Sequence, residues 1–126
     1  MLLNLKLHRH RLLVVACHQD RVVGFKLGFC ERPGVFYSWL GAVDADFEGQ
    51  GIGRRLLELQ HERLQERGYH LVRTATRNRF KRMLILNLLN GFDLVGVRNK
   101  DGDAHLQLEK RLSPAGRKPK SSPAPA

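Results

Sequence analysis

The residues Asp46-Phe-Glu-Gly-Gln-Gly-Ile-Gly-Arg-Arg-Leu-Leu57 set three glycines at alternate positions, then two arginines, then helix-forming side chains. Glycine destabilises a helix, so crowding it against a helix start implies a tight turn or a close approach to the backbone. Bare N–H groups at a helix N-terminus attract anions, and Arg54 and Arg55 add positive charge there. The spacing does not complete the dinucleotide fingerprint, because Arg54 stands where its last glycine belongs and no strand-helix repeat continues. No Gly-Lys-Ser/Thr follows, which excludes a P-loop. Two readings remain. Either the glycines serve turn geometry alone, or Gly49, Gln50, Gly51, Ile52, Gly53 and Arg54 form an amide cradle for a pyrophosphate.

Other residue types offer less. His8, His10, His18, His61, His70 and His105 are scattered without paired metal spacing, so no metal site is expected. Cys17 and Cys30 belong to no CxxC pair and lie among apolar residues, which suits thiols in a reducing compartment. Tyr37, Glu31, Asp44 and Asp46 are candidate proton acceptors near the glycine stretch.

The elements that must position these residues are legible from turn signals and periodicity. Arg11 to Cys30 reads as a hairpin broken at His18-Gln19-Asp20, and Glu31-Arg-Pro-Gly34 as a turn. Val35 to Val43 is a third strand, rich in aromatic and branched residues. A helix from Gly51 to Arg67 carries Ile52, Leu56, Leu57, Leu59 and Leu64 on one face, with Gly68 as its end. Tyr69 to Thr76 is a fourth strand. A second helix from Arg79 to Asn90 is apolar nearly all round and is expected to be largely buried. Asp93–Arg98 and His105–Leu112 close the domain as a hairpin around Asp101-Gly102. The order β-β-β-α-β-α-β-β defines an α+β domain over residues 1–112, mostly antiparallel, with one βαβ unit at its centre. Residues 113–126, poor in apolar side chains and rich in Pro, Ser, Ala and Lys, read as a disordered tail.

Length and charge bound the rest. The 126 residues suffice for one domain with a real core, and no apolar run approaches the roughly 20 residues of a membrane span. The N-terminal apolar run is too short for a signal core, so a cytoplasmic protein is expected. The net charge is +10; the tail supplies three cations and no acid, leaving +7 on the domain. Such an excess suits an anionic cofactor or partner. A nucleic-acid-binding role rests on charge alone, since no aromatic platform or recognition helix accompanies it.

Val43-Asp-Ala-Asp-Phe-Glu-Gly-Gln-Gly-Ile-Gly-Arg-Arg-Leu-Leu57, preceded by a strand and opening a helix, resembles the acetyl-CoA motif of the GNAT family of N-acetyltransferases, Arg/Gln-x-x-Gly-x-Gly/Ala. Gly51 and Gly53 match, while Glu48 stands at the Arg/Gln position. The likeness extends over Arg11 to Leu112, including Gly91-Phe92 after the second helix. It implies the GNAT fold, acetyl-CoA as cosubstrate, no metal, and direct attack of an amine on the thioester. It also implies that Val43 holds the pantetheine arm and that a backbone amide near Val43 serves the oxyanion. The amides of Gly49 through Arg54 would hold the pyrophosphate. The family's Tyr acid on the second helix is replaced by Asn87, and its Asn by Phe80; Asn78 is the candidate substitute for the latter. Tyr37 and Asn87 are the catalytic candidates. Only Met1 to His10 precede the hairpin, where the family places a strand and two helices. The open side would suit a homodimer or a partner, and a CoA-binding module without efficient catalysis is the alternative reading. The acceptor would be an amine on a small molecule or a protein.

Overall fold

A computed structural model describes residues 2–5 and 10–113. The expected tail from residue 114 onward lies outside the described residues. The elements are β1 (Leu2–Leu5), β2 (Arg11–His18), β3 (Arg21–Arg32), β4 (Val35–Val43), a 3-10 turn (Ala45–Phe47), α1 (Ile52–Glu66), β5 (Leu71–Arg77), α2 (Lys81–Leu89), β6 (Asp93–Lys100) and β7 (Asp103–Arg111). They form one seven-stranded sheet in the order β1-β2-β3-β4-β5-β7-β6. Every neighbouring pair is antiparallel except β4 and β5, which α1 joins by a crossover. The expected α+β order is thus observed.

β1 is an addition. It pairs with β2 from Leu2↔Ala16 to Leu5↔Leu13, so a strand does occupy part of the segment that the sequence reading left without one. Four residues carry too little alternation to register as a strand by pattern. Among the described residues no α-helix precedes α1.

α1 buries Leu56, Leu57, Gln60, His61 and Leu64. The three leucines pack with Leu12, Val14, Phe36, Val72 and Leu108 of the sheet in one core. The apolar face therefore agrees with the expected one, but two polar residues are buried with it. Gln60 Nε2 donates to Ser38 Oγ at 3.2 Å, and His61 Nδ1 lies 3.1 Å from Lys110 Nζ on β7.

α2 corrects an expectation. Asn87 is its only buried residue, while Ile85, Leu88 and Leu89 are exposed, Leu89 to 80%. The helix has nine residues and packs chiefly on β5, so one side is covered and the rest faces outward. A sequence apolar all round says nothing about which side is covered. Cys17 and Cys30 form no disulfide.

Candidate active site

The site begins where a ladder stops. β4 and β5 pair only from Val35↔Leu71 to Ser38↔Thr74, although β4 continues to Val43 and β5 to Arg77. β5 stays paired with β7 up to Arg77↔His105, and β4 with β3 up to Val43↔Gly24. The two inner strands therefore part at their C-terminal ends, each held by its outer neighbour. A register shift between β3 and β4 falls at the same level, where Gly28 pairs with Ser38 and Leu27 with Leu40, leaving Trp39 as the extra residue. Along this open edge of β4, backbone groups that would complete a ladder are available to a ligand instead.

A cleft of about 1350 Å³ fills the gap, bounded by β4, β5, the start of α1 and one side of α2. Its mouth is the loop between Val43 and Ile52. Asp44 caps the 3-10 turn, its Oδ1 accepting from the Asp46 amide at 2.9 Å. That amide and the Arg21 guanidinium hold the Asp44 carboxyl below its ordinary range. Gly51 sits at the N-cap of α1 with φ +78° and makes no side-chain cap bond, and no acid occupies the first turn. Hence the first amides of α1 have neither a side-chain acceptor nor a competing anion.

The three glycines serve different purposes. At Gly49 and Gly51 φ is +79° and +78°, and a Cβ would meet nothing within 4 Å. Left-handed backbone, not crowding, demands glycine there. Gly53 has ordinary backbone, and a Cβ on it would stand 3.4 Å from Leu86 Cδ2 and 3.8 Å from Val43 Cγ2, both residues that line the cleft with it. Turn geometry thus accounts for Gly49 and Gly51, whereas a Cβ at Gly53 would make only ordinary contacts.

Of the residues singled out from sequence, Tyr37, Val43, Gly49, Gly51, Ile52, Gly53 and Arg54 line the cleft. Gln50, Asn78 and Asn87 do not. Asn78 accepts from Lys81 Nζ at 2.8 Å, and Asn87 is 2% exposed, while α2 contributes Lys81, Arg82, Met83 and Leu86 to the wall. Glu48 turns to α2, where its Oε2 pairs with Arg82 Nη1 at 2.8 Å. Arg54 is bonded to Glu58 at 2.8 Å. Glu31 pairs with Arg73 at 2.7 Å, and this contact raises the guanidinium further above its ordinary range.

Sequence reasoning missed the β5 wall, Thr74 to Arg77, and the cations Lys26, Arg79 and Lys81. The bases at the start of α2 follow a strand end, a readable signal once the crossover is known. Lys26, in mid-strand, gives no such signal. It is buried, and desolvation lowers its pKa to about 8. Against Glu48, the rim offers Arg54, Arg77, Arg79, Lys81 and Arg82. A narrow slot between strand edges, an uncapped helix start and a basic rim fit a long ligand with a phosphate at one end.

A family profile described as an Acetyltransferase (GNAT) domain matches residues 9–84, more than half of the chain. The chain belongs to the GNAT acetyltransferase family. Solved structures agree on the fold. The ribosomal-protein-S18-alanine N-acetyltransferase from Escherichia coli superposes with a TM-score of 0.77 at 22% identity, covering 87% of this chain and 74% of that one. IAA acetyltransferase from Bacillus cereus ATCC 14579 gives 0.73 at 22% identity, covering 82% and 79%. An aminoglycoside 6'-N-acetyltransferase complexed with coenzyme A gives 0.76 at 17% identity, covering 86% and 77%. No curated protein sequence matches the chain. Among the described residues no helix is long and apolar enough to cross a membrane, and no group of His, Cys, Asp and Glu could hold a metal ion.

Proposed function

We propose that this GNAT family member transfers the acetyl group of acetyl-CoA to an amine, by direct attack of the nitrogen on the thioester. The observation that carries the reading is the meeting of the β4–β5 splay with the uncapped start of α1 in one basic cleft. A related fold complexed with coenzyme A supports the same cosubstrate. When bound, acetyl-CoA supplies an activated acyl carbon. The amides from Gly49 to Arg54 would receive the pyrophosphate, with Arg77 and Arg79 as counter-charge at the rim. The open edge of β4 up to Val43 would hold the pantetheine arm, and an N–H near Val43 would stabilise charge developing on the carbonyl oxygen. Glu48 does not oppose this, because its carboxylate is committed to Arg82.

One observation favours a second reading, a CoA-binding module with weak catalysis. Of the α2 side chains on the cleft wall, Met83 and Leu86 cannot transfer a proton, Lys81 is bonded to Asn78 and Arg82 to Glu48, and Asn87 lies off that wall. Titration calorimetry with acetyl-CoA followed by a thiol-release assay over a panel of amines and N-terminal peptides separates the two. Binding with acceptor-dependent thiol release supports the transferase. Binding without release from any acceptor supports the module, and no binding at millimolar acetyl-CoA overturns both.

A further inference from the structure

Lys26 lies on the face of β3 that α1 covers. Two residues earlier, a Cβ on Gly24 would stand 3.1 Å from Leu56 Cδ1 and 3.3 Å from Ile52 Cγ2. Lys26 pairs with Gly41 on β4, and a Cβ on Gly41 would stand 3.2 Å from Lys26 Cγ and 3.6 Å from its Nζ. The side chain therefore crosses β4 at the residue that has no side chain of its own. A lysine is longer than the roughly 4.8 Å between strands, so its amine reaches toward the edge of β4 that β5 has left. The residue is 8% exposed and lines the cleft.

A buried ammonium ordinarily has a carboxylate partner. Here, among the described residues, no hydrogen bond or ion pair reaches the Lys26 amine, and burial alone accounts for its low pKa. The ionisable group that feels the Lys26 charge is His61 on α1, which itself lies 3.1 Å from Lys110 on β7. Burial first, then Lys110 and Lys26, lower the His61 pKa to about 3, so the imidazole is neutral at physiological pH. Burial also lowers the Lys110 pKa. From β5, the neighbouring cleft residues Thr74 and Thr76 carry no charge.

We propose that Lys26 is the catalytic proton-transfer residue of the acetyl transfer, relaying the proton of the attacking nitrogen to the departing sulfur. The proposal rests on the transferase reading above. In the step, the acceptor nitrogen bonds to the acyl carbon and the carbon–sulfur bond breaks. Neutral Lys26 takes one proton from that nitrogen as it becomes an amide, and the resulting ammonium gives one proton to the sulfur. Lys26 ends as it began, so no further reactant is needed. A CoA thiol resembles cysteine, with a pKa about 8.5, so a lysine lowered to about 8 is matched to it as a donor. The relay also fills the place left on α2, whose Met83 and Leu86 carry no transferable proton and whose Lys81 and Arg82 are bonded to Asn78 and Glu48.

The test uses the full chain with isotopically labelled lysine, the Lys26 resonance being assigned by its absence in Lys26→Met and Lys26→Arg. In the free protein the resonance is expected to titrate with a midpoint near 8. Its midpoint should move on adding CoA and move less on adding desulfo-CoA, which lacks the thiol. Lys26→Met should bind acetyl-CoA within about threefold of wild type, yet lose about 100-fold or more in kcat, the usual share of a proton-transfer group. It should also lose the pH limb near 8, and Lys26→Arg should not restore it. CoA binding with an identical response to desulfo-CoA overturns the relay and leaves the transferase reading intact. So does turnover in Lys26→Met within threefold of wild type. Absence of CoA binding to wild type overturns both together.

Discussion

Gly51 and Gly53 are two residues apart and predict opposite outcomes. Gly51 holds φ +78° in open space, so Gly51→Ala meets no atom but strains the backbone by about 1–2 kcal/mol. In a domain of this size that lowers Tm by several degrees. A Cβ on Gly53 meets only ordinary contacts at 3.4 and 3.8 Å, so Gly53→Ala should keep its Tm within a few degrees of wild type, and Gly53→Val extends the side chain by two methyls. That side chain, however, stands on the cleft wall, and acetyl-CoA binding to Gly53→Val measured by calorimetry should weaken at least about tenfold, a loss of about 1.4 kcal/mol. An unchanged Kd in Gly53→Val would remove the cradle from the cleft's explanation. The spacing of the glycines was readable in the sequence, but the division of labour among them was not. Positive φ and distance to Leu86 are properties of the folded backbone. The same holds for Lys26, whose significance depends on Gly41 lying beside it on another strand.

Between the elements, α1 and α2 show what periodicity can and cannot report. The apolar residues of α1 recur on one side, and Leu56, Leu57 and Leu64 are each at most 1% exposed. Those of α2 recur on every side, and the sheet covers only one of them. Leu57→Ala should therefore cost about 2–5 kcal/mol in urea unfolding. Leu89→Gln, at a residue 80% exposed, should change stability by no more than about 0.5 kcal/mol. A comparable loss in both variants would mean that α2 is covered in solution. The βαβ unit, its crossover and the closing hairpin were all legible, because each has local punctuation in Gly34, Gly68, Gly91 and Asp101-Gly102. The splay that makes the cleft was not. β4 reads as nine unbroken strand residues, and only its pairing with β3, together with that of β5 with β7, decides where the β4–β5 ladder ends.

At the scale of the whole molecule, the buried bases beneath α1 tie stability to pH. His61 keeps a neutral imidazole down to about pH 3 in the fold, against 6.5 for an ordinary histidine. Unfolding therefore takes up a proton between those values. The contribution is complete above about pH 6.5 and is lost progressively as pH falls toward 3, to a total on the order of 5 kcal/mol. Lys26 acts in the same sense at higher pH. With its pKa lowered from 10.5 to about 8, unfolding again takes up a proton, so stability rises between those values. Tyr69 opposes it above pH 10, because burial and Cys30 push its phenol up to about 12 and the unfolded chain ionises first. Acid also disrupts exposed pairs such as Arg73–Glu31, so the wild-type curve alone does not isolate the imidazole. The informative quantity is the difference between wild type and His61→Leu in urea unfolding at pH 4, 5 and 6. Wild type should lose about 1.4 kcal/mol more per pH unit than the variant, the slope of one proton, while the two run parallel above pH 7. Parallel lines throughout would show that His61 is protonated in the fold. It would then be a second cation beside Lys110, and the Lys26 amine would sit in a more positive field than burial alone provides.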